Sequence, residues 1–257
     1  MGLLTKVLRD TWLVFLRYFG LFIHNPSWVA VGVIQPVLYL LLFAPLLKAI
    51  TAVPGFPQGG AYNVFVPGLL VQLGIFGASG VGFNLIAELR FGTVERLRVT
   101  PVSRLALLLG RALRDVLTLL AQAVILVLLS LPFGLSLQPA GILIALGLVV
   151  LIGLFFASLS YAVALVLKDE NSFAPLLFTA NLPLLLLSGV LLPISLAPAW
   201  LRDVANLNPF SHVVAANRAA FLDHLGNPVV VQGAVIMVVL AVLAVAWAAR
   251  SFNRAIA

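Results

Sequence analysis

Gly77-Ala78-Ser79-Gly80 sets a serine in the Gly-x-Ser-Gly frame of intramembrane serine proteases. A nucleophilic serine needs a base within hydrogen-bond reach. The histidines are His24, His212 and His224, and none falls in an apolar run. Close helix packing explains the motif better, because Gly74, Gly77, Ala78, Ser79, Gly80 and Gly82 are all small enough to let a neighbouring helix approach. Metal chemistry is disfavoured, since no pair of histidines or acids has helical ligand spacing. The absence of cysteine excludes thiolate sites, disulfides and cysteine nucleophiles. A phosphate loop needs Gly-Lys-Ser/Thr after a glycine-rich turn. The lysines here follow Thr5, Leu47 and Leu167, so the chain cannot hydrolyse ATP by that route and is expected to bind no cofactor itself.

The remaining concentration of chemistry is a charged island. It runs Glu88-Leu89-Arg90-Phe91-Gly92-Thr93-Val94-Glu95-Arg96-Leu97-Arg98-Val99-Thr100-Pro101-Val102-Ser103-Arg104. Charged residues are 9% of the chain, yet this stretch holds two acids and four arginines. A loop that collects charge in a lipid-like sequence meets water, headgroups or a protein partner. An orientation signal accounts for the arginines but not for the order acid, Gly-Thr, acid, Arg, Thr-Pro. A second, shorter cytoplasmic turn is expected at Lys168-Asp169-Glu170.

The elements that must position these groups are membrane spans. Of 257 residues, 63% are hydrophobic, and mean hydropathy is +1.17. A soluble domain is about half apolar and a quarter charged. The sequence therefore predicts an all-α polytopic membrane protein, one transmembrane domain over 1–257, with no room for a soluble catalytic domain. A span needs about 20 apolar residues. The segments that qualify are 28–47, 64–87, 116–131, 141–167, 173–192 and 229–249. The third looks short, and Arg111, Arg114 and Asp115 are expected to carry its helix into the headgroup region. An amphipathic helix over 3–23, with Leu4, Leu8, Trp12, Phe15, Phe19 and Phe22 at helical spacing and Lys6, Asp10 and Arg17 on another face, suits the membrane interface.

With the N-terminus inside, twelve of the fifteen basic residues lie in cytoplasmic segments, leaving Lys48, Arg202 and Arg218 outside. That asymmetry sets the orientation and puts both termini in the cytoplasm. The basic balance serves topology and anionic lipid, not nucleic acid. The outer segment 193–228, with Pro193, Pro198, Trp200, Asn208, Pro209 and Arg218, is too polar to span and too apolar for a solvated loop. Short helices dipping into the outer leaflet fit it. Within the spans the polar residues are uncharged. Gln35, Gln72, Asn84, Gln122, Tyr161 and Asn181 are candidate handles on a substrate path, or else interhelical glue. A greasy path of this kind suits amphipathic cargo better than ions or sugars.

The acid, Gly-Thr, acid, Thr-Pro stretch, the outer Pro-Ala-Trp-Leu and Asn-Pro segment, and the six-span layout together resemble the membrane subunit of a type-2 ABC exporter of the daunorubicin-resistance and nodulation-export kind. The likeness covers nearly the whole chain. It implies a half-channel in the bacterial cytoplasmic membrane, paired with a second permease subunit. It also implies a separate ATPase subunit that binds ATP and Mg. A coupling helix over 92–101 would dock in that ATPase, and Glu88, Arg90, Gly92, Thr93, Glu95, Arg96, Arg98, Thr100 and Pro101 would form the contact. The expected cargo is a hydrophobic drug, natural product or lipid. Export of a polysaccharide or lipid-linked glycan is the alternative. An intramembrane hydrolase using Ser79, or a non-transporting assembly subunit, would belong to other classes.

Overall fold

The computed structural model describes residues 3–23, 27–51, 56, 59–92, 102–136 and 138–255. Among them there are helices and turns and no strand. This is what apolar spans require, because a helix satisfies its backbone internally and an open sheet edge in lipid does not. Among the described residues, six segments are long and apolar enough to cross a membrane.

Helix α1 (Leu3–Ile23) precedes the first span. Its Val14, Phe15 and Tyr18 are buried, while Leu8 and Trp12 stay exposed. It lies along α6 (Arg104–Ser130), and Gly110 makes that approach possible: a Cβ there would stand 2.6 Å from the Val14 side chain. The first span is α2 (Ser27–Leu38), a wide π-type turn at Tyr39–Phe43, and α3 (Ala44–Ile50). Pro36 lies inside α2 and withdraws one backbone donor just ahead of the wide turn.

The second span differs from the sequence expectation of one helix over 64–87. It is α4 (Gly60–Ser79) and α5 (Gly82–Arg90), broken at Gly80-Val81. The reason lies on another helix. Ser160 on α7 (Pro139–Leu167) donates its hydroxyl to the Ser79 carbonyl at 2.5 Å and accepts from the Gly82 N–H at 2.8 Å. One hydroxyl thus satisfies both backbone groups that the break leaves open. Helix α4 is the centre of the bundle, buried almost continuously from Val64 to Ile75. Small residues allow it: a Cβ on Gly74 would meet the Ile152 side chain at 2.6 Å.

The third span, α6, starts at an N-cap in which the Ser103 hydroxyl accepts from the Ala106 N–H at 3.2 Å. The fourth, α7, ends at Lys168. Asp169 then caps the fifth, α8 (Glu170–Ser188), accepting from the Ser172 N–H at 2.9 Å. After Gly189 the outer segment forms a short turn, then α9 (Ala199–Asn206) and α10 (Pro209–Phe221). The last span is α11 (Pro228–Ala255). Helix α10 does not ride on the surface. Phe210, Val213, Val214, Asn217 and Phe221 are buried, and the helix packs against α4, α7 and α11. By contrast, α8 leaves Phe178, Leu182 and Leu186 exposed, and α2 leaves Val31, Ile34 and Leu38 exposed.

Candidate functional site

The charged end of span two and its surroundings form the site. Glu88 on α5 turns inward. Its Oε2 accepts from the Arg111 guanidinium at 2.5 Å and from the Tyr18 hydroxyl at 3.1 Å. The Arg111 guanidinium also lies 5.0 Å above the Tyr18 ring centre. One turn further along α6, Asp115 pairs with Arg114 at 2.5 Å and accepts from the Tyr161 hydroxyl of α7. Two acids, two arginines and two tyrosines thereby tie α1, α5, α6 and α7 together.

Helix α6 extends past Arg111, Arg114 and Asp115, and the bundle covers two of them: Arg111 is 3% exposed and Asp115 6%. The cause is cover: α1 lies over Arg111, and Tyr161 closes on Asp115. The sequence held a usable signal. Arg111 and Asp115 stand four apart on one face of an apolar helix, and an acid there is a functional residue by default. Tyr18 and Ser160 carry no comparable signal, since their roles depend on helices far away in sequence.

Beside this network is a groove of about 770 Å³. Its walls come from α1, α2, the α4–α5 break and α6. Tyr18, Glu88, Asn84, Arg114 and Asp115 line its polar part, and Phe76, Phe83, Gly77, Gly80 and Leu119 its apolar part. Of the candidate path residues, Asn84 and Gln122 both reach this groove. The others are dispersed. Gln35 lines a shallower recess with Leu38, Tyr39 and Leu42. Gln72 is 1% exposed, with both amide atoms lacking a partner among the described residues. Tyr161 is committed to Asp115, and Asn181 faces Ser79.

Ser79 behaves as a packing residue. Its hydroxyl lies against the Ile75 carbonyl one turn back and 3.3 Å from the Asn181 amide oxygen, and no histidine touches it. Ser79→Ala is therefore expected to cost about 1 kcal/mol of stability and to leave transport intact, as melting and transport assays on the same preparation will check. Loss of transport with assembly preserved would mean that the hydroxyl does more than pack.

The turns that follow α5 and α7 meet. Arg90 at the end of α5 pairs with Asp169 at 3.5 Å and Glu170 at 3.3 Å. Hydrogen bonds from the Ser172 hydroxyl and backbone hold the Asp169 carboxyl below the usual carboxylate range. Beyond Arg90, Gly92 adopts φ +66°, a conformation that glycine takes without strain. Thr93, Glu95, Arg96, Arg98, Thr100 and Pro101, and with them the helix expected over 92–101, lie outside the described residues.

In the segment 193–228, Trp200 is exposed and Pro193 is buried. Pro198 and Asn208 cap α9 and α10, and Pro209 opens α10. Arg218 is partly buried and bound to backbone carbonyls. Its Nε donates to the Val64 carbonyl at 2.8 Å, and one terminal nitrogen donates to the Gly189 carbonyl at 2.8 Å. Burial lowers its guanidinium to about 10, so it remains charged at neutral pH.

Comparison with known proteins adds family evidence to this geometry. A family model described as ABC-2 type transporter matches residues 9–222. The chain is 29% identical to the transport permease ycf38 of Pyropia yezoensis over 84% of its own length and 72% of that protein's. It is 31% identical to the corresponding permease of Porphyra purpurea, over 76% and 68% of the two chains. It is also 26% identical to a daunorubicin resistance ABC transporter permease protein of Streptomyces coeruleorubidus, over 77% and 70%.

Proposed function

Because the chain belongs to the ABC-2 type transporter family, a family of permease subunits without an ATPase domain, we propose that it is half of an ATP-driven exporter for an amphipathic or hydrophobic compound. A separate ATPase subunit supplies the nucleotide site and Mg, and a second permease subunit completes the path. The exposed apolar faces of α2 and α8 suit such a partner or lipid. The asymmetry of lysine and arginine supports both termini on the cytoplasmic side.

The observation that carries this reading is the groove of about 770 Å³ with one polar and one apolar part. Its size lies in the range of small-molecule sites, roughly 300–1,000 Å³. Coupling follows from the chain's own residues. A push on the island reaches α5 through Gly92 and α8 through the Arg90 pairs with Asp169 and Glu170.

Co-expression with a candidate ATPase subunit, followed by ATP-dependent transport in vesicles, tests the proposal. Glu95→Arg is expected to weaken ATPase pull-down and abolish transport, since breaking a close interfacial charge pair costs about 2–5 kcal/mol. Gly92→Val is expected to act in the same direction, because a β-branched residue resists φ +66°. Normal coupling in both variants would reduce the island to an orientation signal.

A further inference from the structure

The charges around the groove are not equally engaged. Asp115 is bound to Arg114 on one oxygen and to Tyr161 on the other. Arg114 lines the groove with a terminal nitrogen held by Asp115, and its Nε, without a partner among the described residues, is buried away from the opening. Arg111 is bound to Glu88 and does not line the groove. Glu88 places both of its contacts, from Tyr18 and Arg111, on Oε2. Its Oε1 takes no hydrogen bond among the described residues, and its side chain is 24% exposed on the groove wall. An anionic head entering here would have to displace a carboxylate from an arginine. A cationic head finds a carboxylate oxygen available.

The apolar part is oriented to match. From Glu88 to Gly77 the chain descends along α5 and the end of α4, eleven residues, or about 16 Å at a helical rise. Phe83, Gly80, Gly77 and Phe76 line this run. Head recognition therefore lies at the end carrying the charged island, and room for an apolar body extends towards the middle of the span.

We propose that this groove binds a membrane-soluble amphiphile whose head carries a protonated amine, with the ammonium on Glu88 and the apolar body along Phe83, Gly80 and Phe76. The proposal rests on the reading of the chain as a permease for amphipathic cargo and names the head group of that cargo. The same chemistry is offered by an exported amine and by an aminophospholipid of the membrane.

The test uses the full chain in nanodiscs of phosphatidylcholine. A dansyl-labelled long-chain primary amine and its N-acetylated counterpart are titrated by fluorescence. The amine is expected to bind about tenfold more tightly, the difference of one charge-assisted hydrogen bond. Gly80→Leu puts an apolar side chain into the groove from a position where an added Cβ meets nothing within 4 Å, and it is expected to weaken both probes about tenfold or more. Glu88→Gln keeps an acceptor for Tyr18 and is expected to erase the preference for the amine while leaving the acetylated probe unchanged. Should Glu88→Gln fail to fold, Asn84→Asp serves, since it adds a carboxylate to the exposed wall and is expected to tighten the amine alone.

Equal binding of the two probes by the unmodified chain would overturn the amine assignment. Unchanged binding in Gly80→Leu would overturn the groove as the site. Neither result would touch ATP-driven transport, which the pull-down and vesicle assays read independently. Nanodiscs containing phosphatidylethanolamine separate the sources: competition with the amine supports the proposal with a lipid occupant, and absence of competition supports it with an exported amine.

Discussion

Asp115→Ala is expected to cost about 3–5 kcal/mol and to lower the melting temperature in detergent by roughly 6–20 °C. The carboxylate is 6% exposed and carries the Arg114 ion pair and the Tyr161 hydrogen bond. Removing it strands a guanidinium and a phenol hydroxyl inside the bundle, and Arg114 already has an Nε without a partner among the described residues. The size of the loss comes from that stranding more than from the strength of the pair, which separates this account from a simple count of bonds. A double variant, Arg114→Met with Asp115→Leu, removes both charges together and is expected to recover much of the stability. If the double variant were as unstable as the single, the pair itself would be the stabilising element. If Asp115→Ala melted normally, water would have to reach the carboxylate.

That network also marks where sequence reading succeeds and where it stops. The six spans are legible because hydropathy over a window of span length is a local property. The segments expected at 141–167 and 229–249 stand within the helices Pro139–Leu167 and Pro228–Ala255. The break at Gly80 is not legible, because Gly77 to Gly82 is as compatible with a continuous helix as with a broken one. Ser160, from another span, decides the matter by supplying a donor and an acceptor at the gap. The burial of Asp115 is not legible either, because it follows only when α1 and α7 close over that part of α6. Asn84 and Gln122 are brought to one groove while Gln35, Gln72 and Asn181 are not, a distinction that depends on which helices are neighbours. The groove itself depends on Gly80 and Gly77 facing α6, which residue type suggests but does not specify.

Arg218→Met is the change in the outer segment with the largest expected effect. The guanidinium joins three elements at once: α10, from which it extends, the Val64 carbonyl of α4, and the Gly189 carbonyl just past the end of α8. The Val64 carbonyl takes the guanidinium in the turn where Pro67 withdraws the donor due to Asn63, and the Gly189 carbonyl needs a donor for a local reason. Gly189, at φ +74°, ends α8 and leaves its last carbonyls without helical partners. A cation at a helix C-terminus is favourable as well. Methionine fills a similar volume but donates nothing, so each buried carbonyl left open costs about 1–3 kcal/mol. Lysine is expected to recover only part of this, since a single ammonium cannot span the two acceptors as a guanidinium fork does. Gly141→Leu attacks the same junction by a different route, because a Cβ on Gly141 would collide with the Ala220 backbone carbonyl. Arg218→Met leaves the six spans unchanged and Gly141→Leu makes one of them more apolar, so insertion is expected to proceed while α10 loosens from α4 and α7. Limited proteolysis from the outer face should then cut within 209–227 faster than in the unmodified chain, and thermal melting should fall. Protection equal to the unmodified chain in Arg218→Met would show that apolar contacts from Phe210, Val213 and Phe221 hold α10 without the guanidinium.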